Sequence, residues 1–291
     1  SAVASRMNTK TKGTPLVLFN AHAYPVSDIA EIVMPANGSK GYKVLDAKGK
    51  AVASQSVVGE DGKTHLLIDA HAAASGFEVY DVVKSGSASM TSPRQANTVE
   101  NSVYKLTLDS TGDISSLIYK QTGKELVEQG KTIRLAMFTD NKSYDYPAWE
   151  LMKATIDAAP VSIKENVKVS LIENGALRKT LAVEKQFGDS HFRQYIRLYE
   201  GSLANRIDFF NEVDWRSTNA LLKVEFPLSI ANQKATYDVG IGSVERGNNT
   251  ATAYEGYAQQ WADLTASDGS YGVSVLNDCK YGWDKPDDNT I

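Results

Sequence analysis

Short apolar runs separated by turn-forming dipeptides are the feature that most limits what this chain can fold into. In the first 85 residues, six runs rich in β-branched and aromatic side chains alternate with turn signals at Asn37-Gly38, Lys48-Gly49 and Asp61-Gly62. Runs of this length and spacing predict β-strands joined by tight turns rather than helices. We therefore predict a small β-sandwich over residues 1–85.

The strand pattern continues with longer runs in the rest of the chain. Residues 86–96 are small and polar and include Pro93, which is typical of a linker. Residues 97–291 contain about ten further predicted strands, and the sequence favours a helix only as one turn near residues 124–129. The predicted fold class is all-β, with the small β-sandwich followed by a large antiparallel sandwich.

The overall charge and the cysteine content exclude several kinds of partner and site. A net charge of −4 argues against nucleic acid and against an anionic membrane surface. No run approaches the roughly 18 consecutive apolar residues of a membrane span. The single cysteine, Cys279, excludes an internal disulfide. Neither end looks like a natural terminus and residues 1–6 lack a signal-peptide core, so we expect a piece of a longer protein and predict no compartment.

The histidines give little support for chemistry in this chain. The sequence has four of them, at His22, His65, His71 and His191, and none has the spacing of zinc ligands. We therefore predict no metal and no cofactor here, and we expect His65 and His71 to be partly exposed strand residues. His191, which follows a Gly-Asp turn, is the candidate for acid–base work on a sugar together with a carboxylate, as in aldose mutarotases.

Acidic residues near strand ends are the other candidates for catalysis. Glycoside hydrolysis ordinarily needs two carboxylates across one sugar. Asp214, Asp263 and Asp278 each lie beside aromatic residues near a predicted strand end. Such carboxylates commonly accept hydrogen bonds from turn amides. We therefore predict no catalytic residue among them.

Aromatic side chains are more informative, because sugars present apolar C–H faces that stack on rings. Tyr144, Tyr146 and Trp149 lie in one polar loop, where they either face a sugar or anchor the loop. The second cluster, Tyr254, Tyr257 and Trp261, is predicted to be strand core. Trp215 follows an alternating apolar run and is predicted to be buried at a strand end.

Several stretches occur in the order and spacing of a known family. The most specific of them contains Asn211, Asp214, Trp215, Lys223 and Pro227, and others are residues 15–20, 97–126, 242–246, 261–264 and 277–282. Together they resemble the C-terminal half of the zinc-dependent α-mannosidases of glycoside hydrolase family 38. The resemblance implies that the large sandwich is a mutarotase-like (galactose mutarotase type) super-sandwich.

The resemblance also implies where the chemistry lies. In this family a retaining mechanism uses an aspartate nucleophile and a zinc ion, both held by an N-terminal catalytic domain whose motifs this sequence lacks. The chain would then brace that domain and line one side of a site for mannose-containing glycans, while being inactive alone. Tyr144, Tyr146 and Trp149 would reach the sugar site, and Asp278 and Lys280 would lie near it. Pro147 and Glu150 depart from the family pattern, because they replace two aspartates.

Two other functions stay open from the sequence. The chain would also suit a stand-alone carbohydrate-binding module that holds a glycan without further domains. A mutarotase-like enzyme that uses His191 and a carboxylate is the third possibility.

Overall fold

The computed structural model describes residues 6–35, 41–59, 61–86, 92–146 and 149–291. By its internal contacts the chain divides into two compact units. The first unit contains Ser1–Val103, Val169–Ala182 and Gln194–Phe210, and the second contains Tyr104–Lys168, Val183–Arg193 and Asn211–Ile291. The boundaries at residues 85 and 97 stay a prediction, and residues 87–91 of the proposed linker lie outside the described residues, as does the predicted Asn37-Gly38 turn.

The first unit contains a small β-sandwich. Its strands are β1 (Thr14–Asn20), β2 (Val26–Val33), β3 (Gly41–Leu45), β4 (Ala51–Val52), β5 (Ser54–Val58), β6 (Thr64–Ala72) and β7 (Gly76–Ser85). One sheet has the order β1-β7-β3-β4 and the other has the order β2-β6-β5. At the Asp61-Gly62 turn, Gly62 has a φ of 72°, a left-handed conformation that glycine adopts without strain.

Strand β6 explains why three apolar residues follow one another in this unit. Leu66 and Ile68 are fully buried in a cluster with Val44 and Tyr80. The intervening Leu67 points to the opposite face and is buried in a second cluster with Leu177. Both faces of β6 are therefore covered within this unit, and the alternation expected of a half-exposed strand is lost.

The remaining strands make up most of the regular secondary structure in the rest of the described chain. They are β8 (Thr98–Glu100), β9 (Tyr104–Leu108), β10 (Ile114–Tyr119), β11 (Lys124–Glu125), β12 (Arg134–Phe138), β13 (Val161–Ser162), β14 (Glu165–Asn174), β15 (Arg178–Phe187), β16 (Ser190–Tyr199), β17 (Ile207–Asp214), β18 (Leu221–Glu225), β19 (Lys234–Asp238), β20 (Ser243–Gly247), β21 (Gly256–Tyr257), β22 (Trp261–Thr265), β23 (Gly272–Leu276) and β24 (Gly282–Trp283). The strand pairings are antiparallel. The predicted all-β class is confirmed.

Three sheets of the second unit lie beside the candidate functional residues. They have the orders β13-β12-β18, β20-β19-β22-β23 and β21-β24. A further sheet has the order β14-β15-β16-β17, and its residues are divided between the two units. One core cluster contains Leu228, Tyr237, Ala262 and Leu264, with Trp283 packed against it. The terminal residue Ile291 belongs to the same cluster.

The predicted helical turn near residues 124–129 is wrong. Residues Lys124–Glu125 form β11 instead, because the Glu125 carboxylate accepts hydrogen bonds from the Leu117 and Val127 amides at 2.7 and 3.0 Å. The α-helix of the described chain is α1 (Lys153–Asp157). Lys153 Nζ and Asp157 Oδ1 lie 2.5 Å apart across one turn of that helix, a spacing that stabilises it.

Candidate functional site

The aromatic loop follows β12 and is organised around one carboxylate. Glu150 Oε2 accepts hydrogen bonds from the backbone amides of Tyr144, Asp145 and Tyr146, at 3.2, 3.4 and 3.4 Å. It also accepts one from the Ser143 hydroxyl. The Ser143 hydroxyl and these amides lower the pKa of the Glu150 carboxyl, because they stabilise its charged form. Glu150, noted in the sequence only as a departure from the family pattern, is thus the centre of the loop.

The three aromatic side chains of the loop point outward. Tyr144, Tyr146 and Trp149 are 85%, 60% and 86% exposed. The rings of Tyr146 and Trp149 lie 6.1 Å apart, and the Trp149 amide donates to the Tyr146 carbonyl at 2.9 Å. Pro147 and Ala148 lie outside the described residues. The three rings therefore lie at the surface, and they do not anchor the loop in the core.

The second predicted element is the corner after β23. Asn277 Oδ1 accepts hydrogen bonds from the amides of Cys279 and Lys280, at 3.1 and 2.6 Å, which closes a tight turn. Asp278 and Lys280 are exposed on this turn. The Asn277 amide donates to the Gln260 carbonyl at 2.8 Å and so ties the corner to the segment before β22.

Residues 254–258 connect the loop and the corner. The Tyr254 hydroxyl donates to the Leu151 carbonyl at 3.0 Å, next to the aromatic loop. Three residues later, Tyr257 pairs with Gly282 in the β21-β24 ribbon, and the Ala258 amide donates to the Tyr281 carbonyl at 3.1 Å. The structure therefore brings the two predicted elements against one short segment of the second unit.

The same segment carries functional candidates that sequence reasoning missed. Tyr257 is 56% exposed, so the prediction that it is strand core is wrong. Beside it, Lys223 Nζ lies 2.9 Å from Asp284 Oδ1, and both side chains are largely buried. Burial raises the pKa of the nearby Glu255 carboxyl, against the opposing effect of Lys223. In the sequence, Lys223 belongs to one of the family motifs. No motif in the sequence pointed to Glu255 or Asp284.

The other acidic candidates serve local structure. Asp214 pairs with Arg216, with Oδ1 2.8 Å from Nε. Asp263 accepts hydrogen bonds from the hydroxyls of Thr265 and Ser274, at 2.5 and 2.6 Å. Both carboxylates therefore bind side chains of their own turn or of the neighbouring strand.

The histidines are dispersed over the chain. His65 lies between Glu31 and Asp61, and His71 Nδ1 is 2.7 Å from the Ser27 hydroxyl. His191 is exposed at the start of β16. Within the described residues, no group of three or more His, Cys, Asp or Glu side chains is arranged to hold a metal ion. The absence of a metal from this chain stays a prediction.

Trp215 is 38% exposed, so its predicted burial is wrong. It lies just beyond β17, whose last residues, including Val213, face solvent, and its ring packs edge-on against buried Phe192 at 6.4 Å. We expect Trp215→Ala to cost about 1 kcal/mol, the typical energy of an aromatic pair. Phe192→Ala, which removes the buried partner, should cost about 3–5 kcal/mol. Thermal melts of both variants check this, and equal losses would contradict it.

No helix in the described parts of the chain has both the length and the apolar character needed to cross a membrane.

The fold and this surface define an all-β protein with exposed aromatic rings of the kind on which carbohydrates stack. Residues 99–291 match the family described as "Glycosyl hydrolases family 38 C-terminal domain". The chain therefore belongs to glycoside hydrolase family 38, as the sequence resemblance predicted.

Relatives and solved structures agree with this assignment. The chain is 29% identical over 191 residues to "Alpha-mannosidase 2C1" of Mus musculus and 31% identical over 197 residues to "Alpha-mannosidase G" of Dictyostelium discoideum. Each match covers 64% of this chain, and the chain spans 18% of the length of each relative. A family 38 protein from Enterococcus faecalis has the same fold, with a TM-score of 0.67 at 14% identity, over 95% of this chain and 40% of that one.

Proposed function

We propose that this chain is the non-catalytic C-terminal β-rich part of a retaining, zinc-dependent α-mannosidase. It braces an N-terminal catalytic domain and lines one side of the site that binds a mannose-containing glycan. Family membership and the share of its relatives that the chain spans support this proposal. The observation that carries it is the aromatic loop, whose three rings are exposed while the amides of Tyr144 and Tyr146 donate to Glu150.

The physical argument starts from the cost of exposed aromatic surface. Leaving three large rings in water forgoes the free energy that their burial would release, about 25 cal/mol per Å². Glu150 nevertheless accepts hydrogen bonds from the amides of Tyr144 and Asp145, and exposed rings beside such contacts suit a surface that another molecule covers. A catalytic domain on one side and a sugar C–H face on the other would supply that cover. Asp278 and Lys280, on the corner joined to the same segment, would supply charged groups nearby.

Among the described residues, the histidines are not arranged to hold a zinc ion. His65 is engaged by two carboxylates, His71 by Ser27, and His22 stacks on Tyr24. The zinc and the nucleophile would therefore belong to the catalytic domain, and no step of the reaction is assigned to residues of this chain. What these residues contribute is orientation of the sugar and exclusion of water, two large terms in enzymatic rate enhancement.

We expect the isolated chain to show no hydrolysis of an aryl α-mannoside. Retaining hydrolysis needs a nucleophile and an acid held together across the sugar, and two of the acidic candidates, Asp214 and Asp263, are bound in local hydrogen bonds. The measurement is release of the aryl group by purified chain, with a protein that includes the catalytic domain as the positive control. Turnover that persists through repurification and disappears in Asp278→Asn would contradict the proposal.

A further inference from the structure

An open groove of about 600 Å³ lies in the second unit, beside the edges of two sheets. Strands β13 and β14 each lie at the edge of their sheet, and residues of both line the groove together with the turn between β9 and β10. Small-molecule sites typically have volumes of about 300–1,000 Å³. The residues that line the groove are Thr111, Val161, Ser162, Lys164, Glu165 and Phe187, and none of them belongs to the aromatic loop.

The floor of the groove is apolar. Phe187, at the end of β15, packs against a core cluster that contains Ile163 and Phe192, and it also lines the groove. Val161, the other apolar residue of the lining, is 43% exposed. Covering such surface in a concave site is favourable, because it removes apolar area from water. The floor therefore offers an aromatic ring and an aliphatic side chain to the apolar face of a ligand.

The wall formed by the β9–β10 turn is built into the fold. The Thr111 hydroxyl lies 3.1 Å from Asp113 Oδ2, and the buried Asp113 carboxylate pairs with the buried ammonium of Lys185. Gly112 has a φ of 73°, and a Cβ at this position would lie 2.7 Å from Val183 Cγ1, so the turn packs directly on β15. A wall that is formed before the ligand arrives lowers the entropic cost of binding.

The rim of the groove carries two unused charges. Lys164 and Glu165 are exposed neighbours, and in the part of the chain that the structure describes neither side chain has a hydrogen bond or an ion pair. The Ser162 hydroxyl, by contrast, already accepts a hydrogen bond from Arg134 Nη1 at 2.6 Å. A free ammonium and a free carboxylate together supply donors and acceptors with no net charge.

We propose that this groove is a binding site for a neutral hexopyranose, separate from the aromatic loop. The C–H face of the sugar packs on Phe187 and Val161, and its hydroxyls accept a hydrogen bond from Lys164 and donate one to Glu165. A hydroxyl group both donates and accepts, so a polyol satisfies both charged groups, whereas an ion would meet one charge of its own sign. The choice of a mannoside as the probe rests on the proposed function.

Saturation-transfer NMR with methyl α-D-mannopyranoside tests the site in the 291-residue chain that carries Tyr146→Ala and Trp149→Ala. These two changes remove the aromatic loop as a source of transfer, and we expect transfer to the sugar protons to remain. Phe187→Leu keeps an apolar side chain on the core cluster and should weaken binding about fivefold, as for loss of one aromatic contact. Val161→Trp fills the groove from an exposed position and should abolish binding.

The charged rim is tested with a matched pair of variants in the same chain. Lys164→Met should weaken binding about tenfold, as for loss of one hydrogen bond from a charged group. Lys168→Met is the control, because Lys168 is an exposed lysine of β14 that pairs only weakly with Glu184, at 3.9 Å, and does not line the groove. It should bind the sugar as the parent chain does, and both variants should keep the melting temperature of the parent.

Three binding results would overturn the inference. They are no transfer in the chain without the two loop rings, transfer that Val161→Trp leaves unchanged, and equal losses of affinity in Lys164→Met and Lys168→Met. A wild-type dimer in sedimentation that Val161→Trp converts to a monomer would also overturn it, because a second copy of the chain would then cover the groove. Failure of the proposed function shows separately, as activity of a protein with the catalytic domain that is insensitive to the aromatic loop.

Discussion

Replacing Arg178 with methionine is expected to destabilise this protein by about 3–5 kcal/mol, the cost of breaking a buried ion pair. Arg178 is 4% exposed. Its guanidinium binds Glu173 through two hydrogen bonds of 2.7 and 2.8 Å and binds Glu31 through a third of 2.7 Å. Removing the cation leaves the largely buried Glu173 carboxylate without its charged partner. Chemical denaturation of the variant and the wild type measures the difference.

Arg193→Met is the matched control for this substitution. Arg193 also lies on a long strand and pairs with Glu184 at 2.9 Å, but its side chain is about half exposed. Exposed pairs contribute only about 0–1 kcal/mol, so this variant should be close to wild type. Similar losses of stability in both variants would show that the buried ion pairs of Arg178 stabilise the protein no more than an exposed pair does.

The pH dependence of the Arg178 effect gives a second check. Burial acts to raise the pKa of Glu31, but Arg178 and His65 outweigh it and lower the pKa. A lowered folded-state pKa stabilises the fold above the unfolded pKa, and this contribution is lost as the pH falls. The stability gap between wild type and Arg178→Met should therefore narrow as the pH falls below about 4.3, the usual pKa of glutamate. If the stability difference between wild type and Arg178→Met did not change with pH, Arg178 would not be what lowers the pKa of Glu31.

If the proposed function is right, replacing both Tyr146 and Trp149 with alanine in a protein that also contains the proposed catalytic domain should lower kcat/KM by about 10²-fold, the typical cost of a misplaced substrate. The two rings face away from this unit and pack mainly on each other at 6.1 Å. Their removal should therefore leave the melting temperature of the isolated chain nearly unchanged. Hydrolysis of an aryl α-mannoside and a thermal melt measure the two effects separately.

Phe19→Ala with Phe77→Ala is the matched control for the loop variant. These two rings are also exposed and lie 6.2 Å apart, but they belong to the small β-sandwich. Their loss should leave kcat/KM unchanged. If the loop variant kept full activity, the two rings would have no part in the reaction, and if it lost its fold, the rings would be structural. Either result would contradict the proposed function at this surface.

The class of fold could be predicted from the sequence because the evidence for strands and turns is local. Strand periodicity and turn dipeptides act over a few residues, and the Asp61-Gly62 turn and strands such as β10 follow directly from them. The family, too, was visible in short motifs. The sequence also placed three rings among polar residues in one loop, and in the structure these rings are exposed.

Only the tertiary structure decided how side chains distant in sequence combine. Trp215 sits beyond a strand whose last residues face solvent, which alternation alone did not reveal. Lys223, Glu255 and Asp284 come from three separate segments, and they meet because a ribbon of two-residue strands sets its register through backbone hydrogen bonds. Contacts of this kind depend on long-range packing, and no pattern within a few residues encodes them.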